Sequence, residues 1–351
     1  MFSNSGNNLQ KRTMTQQLLN ALRTAIVTLT VATAAWSCGT HPLPYTTIEG
    51  NALGTFVVVK YSGEITQDEV IALIRNTDSE AIASMSIFDE NSLLSRVNRN
   101  LTDSLDSHIT YNIELASRYY ELSNGAYDIT VRPLTEAWGF AQKRASEAEP
   151  NVDSLLEFVG MEKMRIEQGR IVKSDSRLQI DLNSIAKGYV VDLVAAKLDE
   201  AHVEDYMINI GGEIRCRGRN NSGNIWSIGI ETPYDGNMSS DAIEKIITVD
   251  NCAVATSGNY RRFYLDSAGR KVAHTIDPHT GYSAVSDLLS ATVVAPTCAE
   301  ADAAATMFMA MGSEGGALEL AQRCEQEYGW RYYFIYADGE AYRIECSEEY
   351  R

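Results

Sequence analysis

Hydrophobic and polar positions along this chain change period several times, and each change predicts an element. Thr55 to Tyr61 (TFVVVKY) gathers β-branched and aromatic residues and predicts a strand. From Ile65 to Ile87 the apolar positions return at helical spacing, and Thr66 with Glu69 three residues on has the form of a capping box. Asn112 to Ser123 predicts a second amphipathic helix, closed by Asn124-Gly125. Leu178 to Leu182 and Tyr206 to Ile210 predict buried strands, with a helix over Ala186 to Leu198 between them. Asn224 to Ile230, Ala253 to Ser257 and Leu289 to Val294 predict further strands, and Cys298 to Met311 an apolar helix closed by Gly312. Tyr332 to Tyr336 and Ala341 to Glu345 flank Ala337-Asp338-Gly339-Glu340 and predict a hairpin turning on Asp-Gly. Helices and strands are interspersed with hairpin signals, which points to the α+β class rather than a doubly wound sheet. No Pro-rich or Ser-rich linker interrupts the chain after residue 48, so one domain is expected.

The first 48 residues follow another pattern. Lys11, Arg12 and Arg23 precede an uncharged run from Ala25 to Ser37, which at 13 residues is too short to cross a bilayer core of about 30 Å as a helix. A basic segment before a short apolar one predicts an export signal over residues 1–37. The run ends at Ala35-Trp36-Ser37-Cys38, a loose match to the sequence at which a bacterial lipoprotein is cleaved and its Cys lipidated. Cys38 is therefore the expected lipidation site, residues 38–48 a tether, and residues 49–351 the folded domain. That reading implies a lipid anchor on the periplasmic face of the bacterial inner membrane.

Composition narrows the partners. Across 351 residues, 30 Lys and Arg face 47 Asp and Glu, a formal charge of −17. Nucleic acid is excluded as a natural partner, because a phosphate backbone needs a basic face. A hydrophobic share of 44% supplies a real core and excludes a wholly disordered chain. None of the six cysteines forms a CxxC and no His stands at finger-like spacing, so a structural zinc is not expected; Cys216, Cys252 and Cys298 read as small core residues.

Several segments carry polar chemistry at element ends. Gly125-Ala126-Tyr127-Asp128 places small residues before an aromatic, where a flat ligand can approach backbone. Asp181-Leu182-Asn183-Ser184-Ile185-Ala186-Lys187 runs from a predicted strand into a helix start that suits an anion, with Lys187 adding charge. Asn209-Ile210-Gly211-Gly212-Glu213 exposes backbone at another strand end. His274-Thr275-Ile276-Asp277-Pro278 sets an imidazole and a carboxylate around a turn. Asp302 and Thr306 lie four apart on the last apolar helix, so their oxygens share a face. An Asp in so apolar a helix needs compensation, either from a hard cation or from a helix dipole.

The order of these segments resembles a known family. Leu53-Gly54-Thr55, SMSIFDENSLLSRVN (84–98), GAYDITVRPL, DLNSIAKGYVVD, INIGGEIRCRG, TSGNYRRF, HTIDPHTGY and ADAAAT stand in the register of the FAD:protein FMN transferases, the ApbE-type lipoproteins. The resemblance spans about residues 50 to 345. It implies a single α+β domain of mixed sheets and packed helices, FAD as substrate and Mg²⁺ as cofactor. It implies FAD contacts at Leu53, Phe88, Ala126, Tyr127, Asp128, Asp181, Lys187 and Ile276. It further implies a metal held by Asp302, Thr306 and the backbone carbonyl near Ser184, and reacting phosphates beside His274 and Asp277. Leu53 replaces the family's usual Met, Phe88 its frequent Tyr, and Ala305 a second metal-site Asp of some members.

The function implied is transfer of the FMN moiety of FAD to a Thr or Ser hydroxyl of a partner protein, such as an electron-transfer subunit, with release of AMP. His274 is the first choice as proton acceptor, with Asp277 or Asp181 as alternatives. An FAD pyrophosphatase and a periplasmic FAD-binding lipoprotein are the competing readings. The second would not need Asp302 and Thr306.

Overall fold

A computed structural model describes residues 44–140, 149–234, 242–260, 263–265, 269–284, 286–339 and 341–351. The expected export signal, Cys38 and all but the end of the tether lie outside the described residues. The fold is α+β and single-domain. Its centre, among the described residues, is an antiparallel sheet of eight strands in the order β1 (Thr46–Ala52), β2 (Thr55–Ser62), β5 (Asp205–Ile210), β6 (Glu213–Arg217), β9 (Ala253–Gly258), β12 (Leu288–Ala295), β13 (Arg331–Asp338) and β14 (Ala341–Cys346). Three two-stranded ribbons stand apart from it: β3 (Met164–Glu167) with β4 (Arg170–Lys173), β7 (Trp226–Glu231) with β8 (Ile243–Val249), and β10 (Phe263–Leu265) with β11 (Lys271–Ala273).

Both faces of the central sheet are covered, which explains why its strands read as apolar runs rather than clean alternations. On β13, Tyr332, Phe334 and Tyr336 join the main core under the helices, while Tyr333 and Ile335 join a second core. On β12, Ala291, Val293 and Ala295 take the first side and Val294 the second. The period of two is intact; both faces happen to be dry. The second core is closed by the β7/β8 ribbon through Trp226, Ile228, Ile230, Ile247 and Val249.

The helical layer holds α1 (Gln67–Met85), α2 (Leu93–Asn98), α3 (Ser107–Leu122), α4 (Arg132–Ala137), α5 (Val152–Leu156), α6 (Ala186–Glu200), α7 (Cys298–Met311) and α8 (Ala317–Tyr328). The capping box at Thr66 forms as expected: its hydroxyl accepts the Glu69 N–H, and Glu69 Oε2 accepts the Thr66 N–H at 2.9 Å. The helix predicted from Asn112 begins five residues earlier, at Ser107, because Asp106 caps it by accepting the Ile109 N–H at 2.9 Å.

One predicted strand is absent. Leu178 to Leu182 is buried or half-buried but belongs to no sheet. Its backbone is satisfied otherwise: Asn98 accepts the Ile180 N–H and donates to the Ile180 carbonyl, both at 2.8 Å, and the Asp181 N–H donates to Ile129 O at 2.7 Å. A buried side-chain amide thus does the work of a neighbouring strand.

Helices α6 and α7 pack unusually closely. A Cβ on Gly188 would sit 2.2 Å from Cys298 O and 2.9 Å from Ala299 N, so only glycine fits there. Each helix also supplies a carboxylate to the other's N-terminal turn. Asp192 of α6 accepts the Cys298 and Ala299 N–H groups at 2.9 and 2.8 Å, and Asp302 of α7 accepts the Gly188 N–H at 3.0 Å. The Ala-rich composition of α7 permits this approach: Ala299, Ala301, Ala303, Ala304 and Ala305 are all fully buried.

Candidate active site

Where α6 begins, side chains from four elements and two loops converge. Asp302, 3% exposed, comes from α7 and is held by the first turn of α6. Four residues on, Thr306 Oγ1 lies 3.2 Å from Ser257 Oγ of β9. Lys187 of α6 pairs with Glu213, which opens β6 and is itself buried. Ser184, in the loop before α6, shares a 2.9 Å hydrogen bond with the buried Tyr127 hydroxyl. Asp181 precedes that loop, and its Oδ1 accepts the Asn183 N–H at 2.9 Å.

The electrostatics tie these groups together. Burial raises the pKa of Asp302, and Glu213 adds to the effect, while Lys187 opposes it. Burial would lower the pKa of Lys187, but Asp302 and Glu213 outweigh it and keep the ammonium charged. The Tyr127 hydroxyl is held neutral by burial, and it feels Asp302, Asp181 and Asp128. Glu213 Oε1 takes the ammonium, and Oε2 is buried without a hydrogen-bond partner among the described residues. Sequence reasoning singled out the Gly-Gly before Glu213 but not the Glu; its only signal was a carboxylate directly following a strand-end glycine pair.

Two expectations for this region change. The dipole alternative for Asp302 is realised, but with the start of α6 rather than of its own helix. The start of α6 is correspondingly less open to an anion than the sequence suggested: Ala186 N–H donates to Leu182 O, Gly188 N–H to Asp302 and Tyr189 N–H to Ile185 O. Its N-cap position, Ile185, offers no side-chain cap.

A second polar turn abuts the first. Asp277 Oδ1 accepts the His279 N–H at 2.9 Å, and its Oδ2 accepts the Thr280 hydroxyl at 2.9 Å. The Asp277 N–H donates to Tyr282 O and the Gly281 N–H to Asp277 O, each at 2.8 Å. Asp277 is therefore a builder of this turn. His279 Nε2 reaches Asn124 O at 3.1 Å and touches the Gly125 position, which brings the turn against the Ala126-Tyr127 segment. His274, half-buried, stands edge-on to Phe140 with ring centres 6.4 Å apart. Ile276 is buried in a small core with Leu134 and Trp138, whose indole donates to Gly281 O at 2.8 Å.

The remaining predicted contacts serve in different ways. Asp128 is buried and spends its oxygens on Thr130 N–H, Thr130 Oγ1 and Met161 N–H at 2.7, 2.6 and 3.1 Å, so it fixes the loop that presents Tyr127. Ala126 is half-buried beside it. Leu53 occupies a tight β1–β2 turn at φ 51°, with its N–H on Asp78 at 2.8 Å. Phe88 is 65% exposed, an aromatic face open to a planar ligand. Among the described residues no hydrogen bond joins Leu53 or Phe88 to the cluster around Asp302.

Asp302 and Thr306 offer a carboxylate and a hydroxyl, and the family resemblance adds the backbone carbonyl near Ser184; all three are oxygen donors that suit a hard cation. Bound positive charge would also relieve the burial of that carboxylate. Among the described residues no group of three or more His, Cys, Asp or Glu could hold a metal, so a cation here would rest on one carboxylate and neutral oxygens.

Comparison with known proteins shows what the chain is similar to. The family described as the ApbE family matches residues 53–330. The FAD:protein FMN transferase of Haemophilus influenzae is 35% identical over 79% of this chain and 83% of its own length. Its counterpart from Vibrio cholerae is 33% identical over 77% and 82%. The solved structure of the flavin transferase ApbE from Vibrio cholerae superposes with a TM-score of 0.78 at 29% identity, covering 88% of this chain and 99% of that one.

Proposed function

The chain belongs to the ApbE family and is a flavin transferase, and from that premise we propose that it moves the FMN half of FAD onto a Thr or Ser hydroxyl of a partner protein and releases AMP, with Mg²⁺ bound. The observation that carries this reading is the meeting, at the start of α6, of a buried Asp302, a charged Lys187 and the Tyr127–Ser184 hydroxyl pair.

The chemistry requires neutralised phosphate charge, a hydroxyl in line with the phosphorus to be attacked, and a proton acceptor. Asp302, Thr306 and the Ser184 carbonyl would hold Mg²⁺, whose charge stabilises phosphate oxygens. Lys187 is kept protonated by its carboxylate neighbours and supplies a second, fixed positive charge. Glu213 orients that ammonium. Tyr127, whose loop is fixed by Asp128 and whose hydroxyl meets Ser184, would line the flavin side of the site, and Phe88 offers a surface for a ring. Asp277 spends its oxygens on its own turn, so His274 stays the first choice to take the hydroxyl proton, with Asp181 as the alternative.

The test uses the full chain, FAD and MgCl₂, with a candidate electron-transfer subunit as the acceptor protein. Intact mass should show one added FMN per acceptor, with an equal amount of AMP released. AMP formed without acceptor, and with no adduct, would favour the pyrophosphatase. The family resemblance and the Ser37-Cys38 sequence also support a lipid anchor at Cys38 on the periplasmic face of the inner membrane.

A further inference from the structure

The central sheet has one thin seam. Its other strand junctions, from β1/β2 to β13/β14, pair five to seven residues each, whereas β6 and β9 are matched only at Ile214–Val254 and Arg215–Ala253. The seam divides strands β1, β2, β5 and β6 from β9, β12, β13 and β14. It also lies under the site, since β6 begins with Glu213 and β9 carries Ser257.

Cys216 and Cys252 stand directly across this seam, one step beyond the last matched pair. The Cys216 N–H donates to Cys252 O at 3.0 Å, so the two residues face each other in the hydrogen-bonded position of an antiparallel ladder. Facing residues there have Cα atoms about 5.5 Å apart and side chains on one face, within the span a disulfide bridges. Both side chains contribute to the second core, Cys216 fully buried and Cys252 at its half-buried margin, and both are free thiols. The guanidinium of Arg331 reaches Cys252 Sγ at 3.4 Å, where it can partner a sulfur anion during exchange.

We infer that Cys216 and Cys252 form a reversible cross-strand disulfide that staples the β6/β9 seam when the chain meets a disulfide donor. The half-buried Cys252 sulfur, the more exposed of the two residues, attacks one sulfur of the donor, and one donor thiol leaves. The Cys216 sulfur then displaces the second donor thiol from Cys252. Each cysteine gives up one proton, and the donor disulfide is reduced to two thiols. The order follows from burial, which pushes the Cys216 thiol up and leaves the first attack to Cys252. The closed loop spans residues 216–252 and encloses the β7/β8 ribbon, so the link restrains the unfolded chain as well as the seam.

The experiment treats the full chain with glutathione disulfide or with dithiothreitol and maps its peptides without reduction. The expected product is one linked peptide pair containing Cys216 and Cys252, with the intact mass lowered by two hydrogens. The oxidised chain should melt on the order of 5 °C higher, and dithiothreitol should reverse both changes. Cys252→Ser should abolish them, and Cys346→Ser should leave them intact. Cys216→Ala adds a second check, and the half-buried Cys252 variant keeps the test valid should the core variant fail to fold. A chain whose Cys252 only carries glutathione, or links to Cys346, would overturn the inference. A Cys216–Cys252 link with no change in melting would overturn the staple.

Discussion

Replacing Gly188 with Ala tests the α6/α7 contact on which the site is built. The new Cβ would lie 2.2 Å from Cys298 O, 2.6 Å from its carbonyl carbon and 2.9 Å from Ala299 N, where ordinary contact begins at 3.4 Å. The largest shortfall is 3.4 − 2.2 = 1.2 Å. The obstacle is backbone, itself fixed by Asp192 and Thr297, so α6 must move as a body. Such overpacking costs about 1–3 kcal/mol. A shift of that size also breaks the 3.0 Å bond from Gly188 N–H to Asp302, and a lost hydrogen bond to a charged group costs about 1.5–3 kcal/mol. Ala gains about 1 kcal/mol of helix propensity over Gly. The net loss is about 2–5 kcal/mol, which at roughly 2 °C per kcal/mol for a chain of this size lowers the melting temperature by about 4–10 °C. Gly50→Ala is the control: it meets nothing within 4 Å and needs no positive φ, so it should melt within about 1 °C of the parent. Thermal melts followed by circular dichroism compare the three proteins. A Gly188→Ala melt matching that of Gly50→Ala would refute the close-packing argument.

Four further outcomes follow. Asp302→Asn keeps an oxygen for the Gly188 N–H and removes a buried charge, so in EDTA it should melt no lower than the parent while FMN transfer in Mg²⁺ falls by about 10²-fold or more; parental transfer rates would remove Asp302 from the metal site. His274→Ala should lower the saturated transfer rate by about 10²–10⁴-fold with FAD affinity, read by flavin fluorescence, nearly unchanged; recovery of rate at high FAD would move the base elsewhere. Burial pushes Asp192 up to about 6, so the folded chain holds this proton where the unfolded chain has lost it, and the carboxylate's contribution to stability falls as pH rises from about 4 to about 6. Melting temperatures across that range should therefore decline less steeply for Asp192→Asn, and identical slopes would exclude this carboxylate. Cys38→Ser should move the protein from the membrane fraction to the soluble one, because a lipoprotein N-terminus binds through several acyl chains; unchanged fractionation would point to an uncleaved anchor.

Much of the fold was legible wherever local chemistry decides structure. The Thr66/Glu69 capping box, the β13/β14 hairpin and the apolar helix from Cys298 to Met311 all form, though Asp338 ends β13 opposite Ala341 rather than opening the turn. The failure at Leu178–Leu182 has a specific cause: the segment is apolar enough for a sheet, but Asn98, 82 positions earlier, supplies the partner a strand would have given. Nothing in the segment itself signals that. Periodicity also missed the strands β1, β3, β4, β6, β8, β10 and β11 and the helices α2, α4, α5 and α8: elements such as β3, β4, β10 and β11 hold too few residues to show a period, and α8 starts at Gly316 with no side-chain cap. In the site, Asp302 was legible because a lone acid in an apolar helix demands a partner. The identity of that partner, the Gly188 N–H, was not, since Gly188 looked like part of a helix start rather than a packing contact. Glu213 escaped for the same reason: its meaning lies in Lys187, reached only after β6 is in place.

The contact between Gly188 and Asp302 has a temporal consequence. It joins positions 114 apart in sequence, and the Tyr127–Ser184 pair beneath it spans another 57. A growing chain that has passed the Asp277 turn already contains Lys187, Tyr127 and His274 but lacks the Asp302 carboxylate that meets Gly188. Flavin binding should therefore be absent from chains truncated before α7 and appear abruptly once that helix and its covering strand β13 are made. In refolding it should lag behind the hairpins, whose contacts are local and close early. Recovery of flavin binding would then serve as a clock for the last step of folding rather than for collapse.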